Sequence, residues 1–383
     1  MKVLYVTNSG GWGGASIALK NIWEQLDSSV DVFVVFPNKG EFSEFAEKKF
    51  KCFFLSYGHD IWPQLKKISD YVLFCPKLIY RIISNHKSYK HLCKIINTIQ
   101  PDIVHTNVGP IHLAAKAAAK CKIPHIWHLR EYQIADFNMH PFPTLKSFKT
   151  KLNLSNNYII SITNNIKNYF ILSDQKCKTI YDGVIYKHKT IPIINYEDSN
   201  YLLFVGRLED AKGWKDALKA YLKISNDYPD IELYFAGSYN KSEIEYVQKT
   251  LIPDKIHKKI KFLGFRDDCY QLMQKARALL VPSQSEGFGF ITVEGMYNGC
   301  IVIGRNVAGT KEQFDNGLNI HNSEIALRFN SQEEFVNQIK NVLDKPKINY
   351  KKMIENAQQT VIKLYTIEKN AEEVLALYKS IIK

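Results

Sequence analysis

The chain has 383 residues, 45% hydrophobic and 23% charged, a balance that excludes a disordered or fibrous chain and accommodates two domains of ordinary size. Its formal net charge is +13. Seven cysteines without close pairs exclude a disulfide framework or a zinc knuckle. No run reaches the roughly 18 apolar residues of a membrane-spanning helix. The apolar start at residues 3–6 is too short for a signal-peptide core, so the expected location is cytoplasmic.

In chain order, short β-rich runs alternate with helical stretches, the rhythm of βαβ units and parallel sheets. Strands are expected at 3–7, 32–36, 103–106, 125–129 and 158–162, with helices at 15–27 and 111–120. A further helix begins at Asn164, with Thr163 as N-cap. Between them, residues 61–100 carry Lys66, Lys67, Lys77, Arg81, Lys87, Lys90 and Lys94 against Asp70 alone. Trp62, Leu65, Ile68, Tyr71, Ile79, Ile82 and Ile83 interleave with them. This is the pattern of a basic amphipathic helix suited to an anionic membrane surface on the inner face of the plasma membrane; the competing reading is a solvated lysine face. Ten of the thirteen surplus positive charges fall in residues 1–200, where 25 Lys and Arg face 15 Asp and Glu. Charge alone is compatible with nucleic acid, but no recognised binding motif supports it.

Residues 183–200 lack periodicity, contain Pro192 and end in a polar run, which marks a linker. The rhythm then restarts, with strands at 201–205, 232–236, 260–263, 278–282 and 300–304. Helices are expected at 214–224, 267–276 and 290–298, and a last one at 368–383. The expected fold is α/β, with two doubly wound domains: 1–190, 191–365, and the final helix 366–383. Ligands in such sheets sit outside the carboxyl ends of the strands, so two of them would place donor and acceptor in an interdomain cleft.

Four segments carry the chemistry. After the first strand, Gly10, Gly11, Gly13 and Gly14 form a turn whose amides can approach an anion at a helix start. Ser16 stands where the dinucleotide fingerprint needs glycine, and no acid ends the second strand, which disfavours a nicotinamide enzyme. In the second half, Gly206 and Arg207 leave a strand end, and Lys212 opens the next helix. Two fixed cations there suit a diphosphate leaving group. Further on, Glu286 and Glu294 flank Gly287, Phe288, Gly289 and Phe290 at a strand-to-helix turn. Two acids on either side of a phosphate-binding helix start can hold hydroxyls of the transferred sugar and of the ribose. Finally, His128, Arg130 and Glu131 end a strand of the first half. His125 and His128 fall on opposite faces of that strand and are not a zinc pair.

Over nearly its whole length the chain resembles the retaining glycosyltransferases of sequence family four, with the GT-B fold of two Rossmann-like domains. The resemblance rests on Gly206 and Arg207 with Lys212 and Gly213, and on the E-x7-E pair Glu286 and Glu294. It is supported by Gly13 and Gly14, by Pro101 to His105, and by Tyr181 to Val184. It implies that Arg207 and Lys212 bind the donor diphosphate, that Glu286 contacts the donor sugar, and that Glu294 contacts the ribose. Phe265 and Arg266 would border the base, His128 would lie near the donor sugar, and Arg130 and Glu131 would shape the acceptor site. Where the family shows paired glycines, this chain has Ala308, Gly309 and Thr310, which keep a backbone role toward the donor; residues 319–329 also depart from the pattern. The implied activity is a retaining hexosyl transfer from a nucleotide-diphosphate sugar, most simply a UDP-sugar, to a glycan or lipid-linked acceptor of a bacterial surface polysaccharide such as capsule or lipopolysaccharide. No strict D-x-D is present, so no metal and no other cofactor is expected. The alternatives are a nucleotide-sugar epimerase or hydrolase of the same fold, and a catalytically silent membrane-surface binding subunit.

Overall fold

A computed structural model describes residues 1–65, 67–154 and 156–382. The chain divides into two compact units, Met1–Gly183 with Ile367–Lys383, and Val184–Thr366. The break falls at the start of the non-periodic stretch, ahead of residue 190, and the last helix, Ile367–Ile382, belongs with the first unit.

The first unit is built on a seven-stranded sheet: β1 (Lys2–Val6), β2 (Asp31–Phe36), β3 (Lys51–Phe54), β4 (Ile103–Asn107), β5 (His125–Leu129), β6 (Asn157–Ser161) and β7 (Cys177–Thr179). The spatial order is β3-β2-β1-β4-β5-β6-β7, and every pair is parallel. Alternation along β1 shows why the sheet is covered on both faces. Val3 and Tyr5 pack with Leu19, Ile22, Val374 and Tyr378, whereas Leu4 and Val6 pack with Leu92, Ile96, Ala114 and Ala117.

The second unit holds six parallel strands: β8 (Tyr201–Val205), β9 (Glu232–Ala236), β10 (Ile260–Gly264), β11 (Ala278–Val281), β12 (Val302–Arg305) and β13 (Leu327–Phe329). Their order is β10-β9-β8-β11-β12-β13. One face of this sheet, through Leu202, Phe204, Leu233, Phe235, Leu280 and Ile303, joins a core with Trp214, Leu218, Tyr221, Phe335 and Ile339. Burying these side chains supplies most of the unit's stability, at about 25 cal/mol per Å² of apolar surface removed from water.

Strands β3, β7 and β13 are absent from the sequence-based reading. All three are edge strands, and β7 and β13 have three residues each, too few for alternation to register. In both sheets the strand order reverses once, between β1 and β4 and between β8 and β11. The loops leaving those strands therefore diverge and open a crevice at the carboxyl edge, where doubly wound sheets bind ligands.

Candidate active site

The crevice of the second unit lies between the loops that follow β8 and β11, and these loops hold the strongest sequence motifs. Residues Asp210–Lys212 form a single 3-10 turn. Gly213 closes it at φ 72°, and a Cβ there would sit 2.2 Å from the Pro282 carbonyl oxygen. Only glycine permits both the left-handed backbone and that approach. The contact clamps the turn onto the loop after β11, where the Gln284 amide donates to the Ala211 carbonyl at 2.9 Å.

As a result Lys212 Nζ reaches Glu286 Oε1 at 2.7 Å, across 74 residues of sequence. Ser283 Oγ donates to the same carboxylate oxygen at 2.8 Å. The loop is held from a third side by the helix Ala308–His321. The Gly309 amide donates to the Glu286 carbonyl at 2.9 Å, and a Cβ at Gly309 would meet the Phe288 carbonyl at 2.5 Å. Gln313 Nε2 donates to the carbonyls of Phe288 and Gly289 at 2.8 and 3.2 Å. Thr310 is buried beside it.

The other donor-side candidates are distributed along the same edge. Gly206 leaves β8, but the Arg207 guanidinium turns to Glu209 at 3.0 Å and stays 58% exposed, lining a separate cavity of about 350 Å³ with Ser238, Tyr239 and Asn240. It does not join the Lys212–Glu286 pair. Gly287 and Gly289 bracket Phe288, whose ring packs against Phe290 and Tyr365. Glu294 lies one turn into the helix Phe290–Tyr297, with the Tyr270 hydroxyl 3.5 Å away. Burial pushes its carboxyl up to about 7. Phe265 is exposed after β10, and Arg266 grips Asp268 through two bonds of 2.7 and 2.5 Å.

The first unit offers a different arrangement. His128, on β5, is fully buried. Its Nδ1 lies 3.2 Å from His105 Nε2 and 3.3 Å from an Arg130 terminal nitrogen. His105 Nδ1 lies 2.5 Å from the Tyr378 hydroxyl, itself 2.8 Å from the Tyr5 hydroxyl. A guanidinium only donates, so His128 Nδ1 accepts and its proton resides on Nε2. The chain then runs in one direction: Tyr5 donates to Tyr378, Tyr378 to His105, and His105 to His128. His128 Nε2 is a buried donor without an acceptor among the described residues. Burial and the neighbouring Arg130 charge hold both histidines well below their ordinary values, hence neutral.

Arg130 is committed within this network. It is ion-paired with buried Asp182 and donates to Asn107 Oδ1 at 2.7 Å. Burial, reinforced by Asp136, raises the Glu131 carboxyl to about 8. His125 pairs with Thr106 and Asn157 and takes no part. At the glycine turn, Gly13 and Gly14 border open space, and the Gly13 amide donates to Ser16 Oγ at 2.7 Å. Among the described residues no group of three or more His, Cys, Asp or Glu could hold a metal ion.

Sequence reasoning gave no role to Ser283, Gln313 or Tyr378, and met His105 only as the end of the Pro101 to His105 match. The first two are common polar residues with no spacing signal, and the last two become meaningful only once β4 and the final helix meet.

Residues 189–360 match the family model described as glycosyl transferases group 1. An uncharacterised glycosyltransferase of Methanocaldococcus jannaschii is 23% identical over 59% of this chain and 63% of its own length. The O-antigen biosynthesis glycosyltransferase WclY of Escherichia coli is 22% identical over 82% of this chain and 83% of its own. The chain spans less than two thirds of the length of several curated relatives it matches. Among solved structures, HepE of Anabaena in complex with UDP superposes with a TM-score of 0.73 at 19% identity, covering 99% of this chain and 100% of that one. The two parallel sheets, each with a single reversal of strand order, and this superposition give the chain the GT-B fold, and residues 189–360 resemble the glycosyl transferases group 1 family.

Proposed function

We propose that the protein transfers a hexosyl unit from a UDP-sugar to a hydroxyl of a lipid-linked or growing surface polysaccharide, with retention of anomeric configuration. The observation that carries this reading is the Lys212–Glu286 pair, held at 2.7 Å by glycine-dependent turns where the second sheet reverses its strand order. HepE, a neighbour in fold, was crystallised with UDP and with UDP-glucose, and WclY acts in O-antigen biosynthesis.

Charge grows on the diphosphate as the bond to the anomeric carbon breaks. Lys212 supplies a fixed cation there, held ready by Glu286. Arg207 joins by exchanging Glu209 for phosphate, so its contribution costs the loss of an exposed ion pair. Glu286 orients sugar hydroxyls rather than attacking carbon, and the departing phosphate oxygen takes the proton of the incoming hydroxyl on the same face. Glu294 binds the ribose. The resemblance would assign the unpaired Nε2–H of His128, buried in the first unit, to the donor sugar. Main-chain groups at Gly13, Gly14, Gly309 and Thr310 add contacts, and Phe265 and Arg266 border the base. In this reading Arg207 and Lys212 take the role that a metal ion has in other transferases.

Docking at an anionic membrane belongs to the same proposal. The helices Ile68–Val72 and Phe74–Ile99 expose Ile68, Tyr71, Val72, Ile79, Tyr80 and Ile83, together with Lys87, Lys90 and Lys94. Not every basic residue of the stretch contributes: Lys77 pairs with Asp70, Arg81 donates to the Ile61 carbonyl, and Lys66 lies outside the described residues. No described helix is long and apolar enough to cross a membrane.

The test is product analysis by NMR after incubation with UDP-sugars, with and without a hydroxyl acceptor. A new glycosidic bond of the donor's anomeric configuration, formed only with acceptor, is expected. Free sugar or an epimerised donor without acceptor overturns the transferase reading.

A further inference from the structure

The first unit contains a cavity of about 760 Å³ that the transfer reaction does not use. It lies on the face of the sheet to which Trp127 points, whereas His128, the next residue of β5, points to the other face. The helix Phe74–Ile99 contributes Ile82 and Tyr89 to its wall, the helix His112–Lys120 contributes His112 and Lys116, and Phe142, Lys151 and Leu154 complete it. The wall is largely apolar, but Asp60, Asn85 and His86 line it together with His112 and the two lysines.

The polar end of the lining is unsatisfied in a specific way. Lys151 Nζ lies 3.0 Å from His112 Nδ1. An ammonium only donates, so His112 Nδ1 accepts and the ring proton sits on Nε2. His112 Nε2 is buried and has no acceptor among the described residues, and the same holds for the indole nitrogen of Trp127, which can only donate. Two orphaned buried N–H groups at one cavity are costly unless an acceptor completes them. Asp60 does not complete Nε2: its carboxylate receives the His112 amide at 2.8 Å and Asn85 Nδ2 at 3.1 Å, and it lies on the Nδ1 side of the ring, 3.5 Å from that nitrogen. With His112 held neutral by burial, at about 4, the charges at the cavity are Lys116 and Lys151 against Asp60, a surplus of one positive charge. Acceptor oxygens on an anion, attached to an apolar chain, match this lining; water alone would match the polar end and leave the apolar wall wet.

We infer that this cavity binds a single-chain amphiphile with an anionic oxygen-rich head, an alkyl phosphate in the simplest case. The head meets His112 Nε2–H, Trp127 Nε1–H and the two lysines. The chain lies against Ile82, Tyr89, Phe142 and Leu154. The cavity adjoins the exposed apolar face of the helix Phe74–Ile99, since Ile82 belongs to both. The inference stands on the first unit alone and does not depend on the donor assignment.

The experiment uses the full chain labelled with 5-fluorotryptophan, whose five tryptophans give separate fluorine signals. Dodecyl phosphate, below its micelle concentration, is titrated alongside dodecanol and inorganic phosphate. The expected result is a saturable shift of the Trp127 signal (assigned by Trp127→Phe) with dodecyl phosphate. Binding should be at least tenfold weaker with dodecanol and in Lys116→Gln, and lost in Ala119→Phe, which fills the rim without touching the core. Equal binding of dodecanol overturns the anionic head. Equal binding of inorganic phosphate overturns the apolar chain. No shift with any probe means a water-filled cavity and ends the proposal, while UDP binding to the second unit can still be measured separately.

Discussion

The carboxyl edges of the two sheets are built in opposite ways. In the second unit, Lys212 and Glu286 keep 32% and 17% of their side-chain surface in solvent and are set by local turns that only glycine can form. In the first unit, His128 has no solvent access, and a chain of hydrogen bonds reaching Tyr378 in the last helix fixes its proton on Nε2. A pair still in part open to solvent can exchange one partner for a ligand at smaller cost than a buried one. A buried relay has no such freedom, and its value lies in holding one donor in one orientation.

This contrast can be broken at either end. The largest effect is expected from Lys212→Ala, which removes the fixed cation and should lower turnover by roughly 10²–10³, the scale of one preorganised charge stabiliser. A rate within a factor of two of wild type in a steady-state assay would remove Lys212 from the chemistry. Arg207→Ala should cost less, about tenfold, because its side chain starts from an exposed pair with Glu209 and must be recruited. A larger loss than that of Lys212→Ala would reverse the proposed ranking.

On the buried side, Tyr378→Phe leaves His105 Nδ1 without its donor and should destabilise the chain by about 1–2 kcal/mol in urea unfolding. Turnover should fall less than in Lys212→Ala, and unchanged stability would show that the relay is not formed. The smallest effect concerns Glu131. Its carboxyl is raised from 4.5 to about 8, so between those pH values the folded chain retains a proton that the unfolded chain has released. Its contribution to stability is therefore full below pH 4.5 and lost as pH rises to 8. Glu131→Gln should raise Tm relative to wild type at pH 8 by roughly 2–4 °C and leave it unchanged at pH 4. A difference of the same size at both pH values would trace to packing instead.

The same contrast governs what the sequence discloses. The five inner strands of the first sheet, and β8 to β12 of the second, are readable because their apolar residues repeat within a few positions, whereas β3, β7 and β13 are short edges that borrow stability from a neighbour. Lys212 and Glu286 stand out because each sits beside a glycine in the loop after a strand, so the local chain already states the turn, and Glu294 stands out by its spacing from Glu286. Nothing local marks Gln313, which holds the Glu286 loop from another helix, nor the pairing of His105 with Tyr378, 273 residues away. Equally, the sequence places Arg207 with Lys212, but side-chain packing sends its guanidinium to Glu209. Motifs reveal where backbone is constrained; they do not reveal which partner a long side chain chooses.

The central claim is that Lys212 and Glu286 form the diphosphate end of a nucleotide-sugar site in the second unit. Calorimetric titration of UDP into the full chain tests it without any acceptor. The account predicts saturable binding by the wild type and at least tenfold weaker binding by Lys212→Ala, with Arg207→Ala in between. Equal affinity of UDP for the wild type and Lys212→Ala would contradict it.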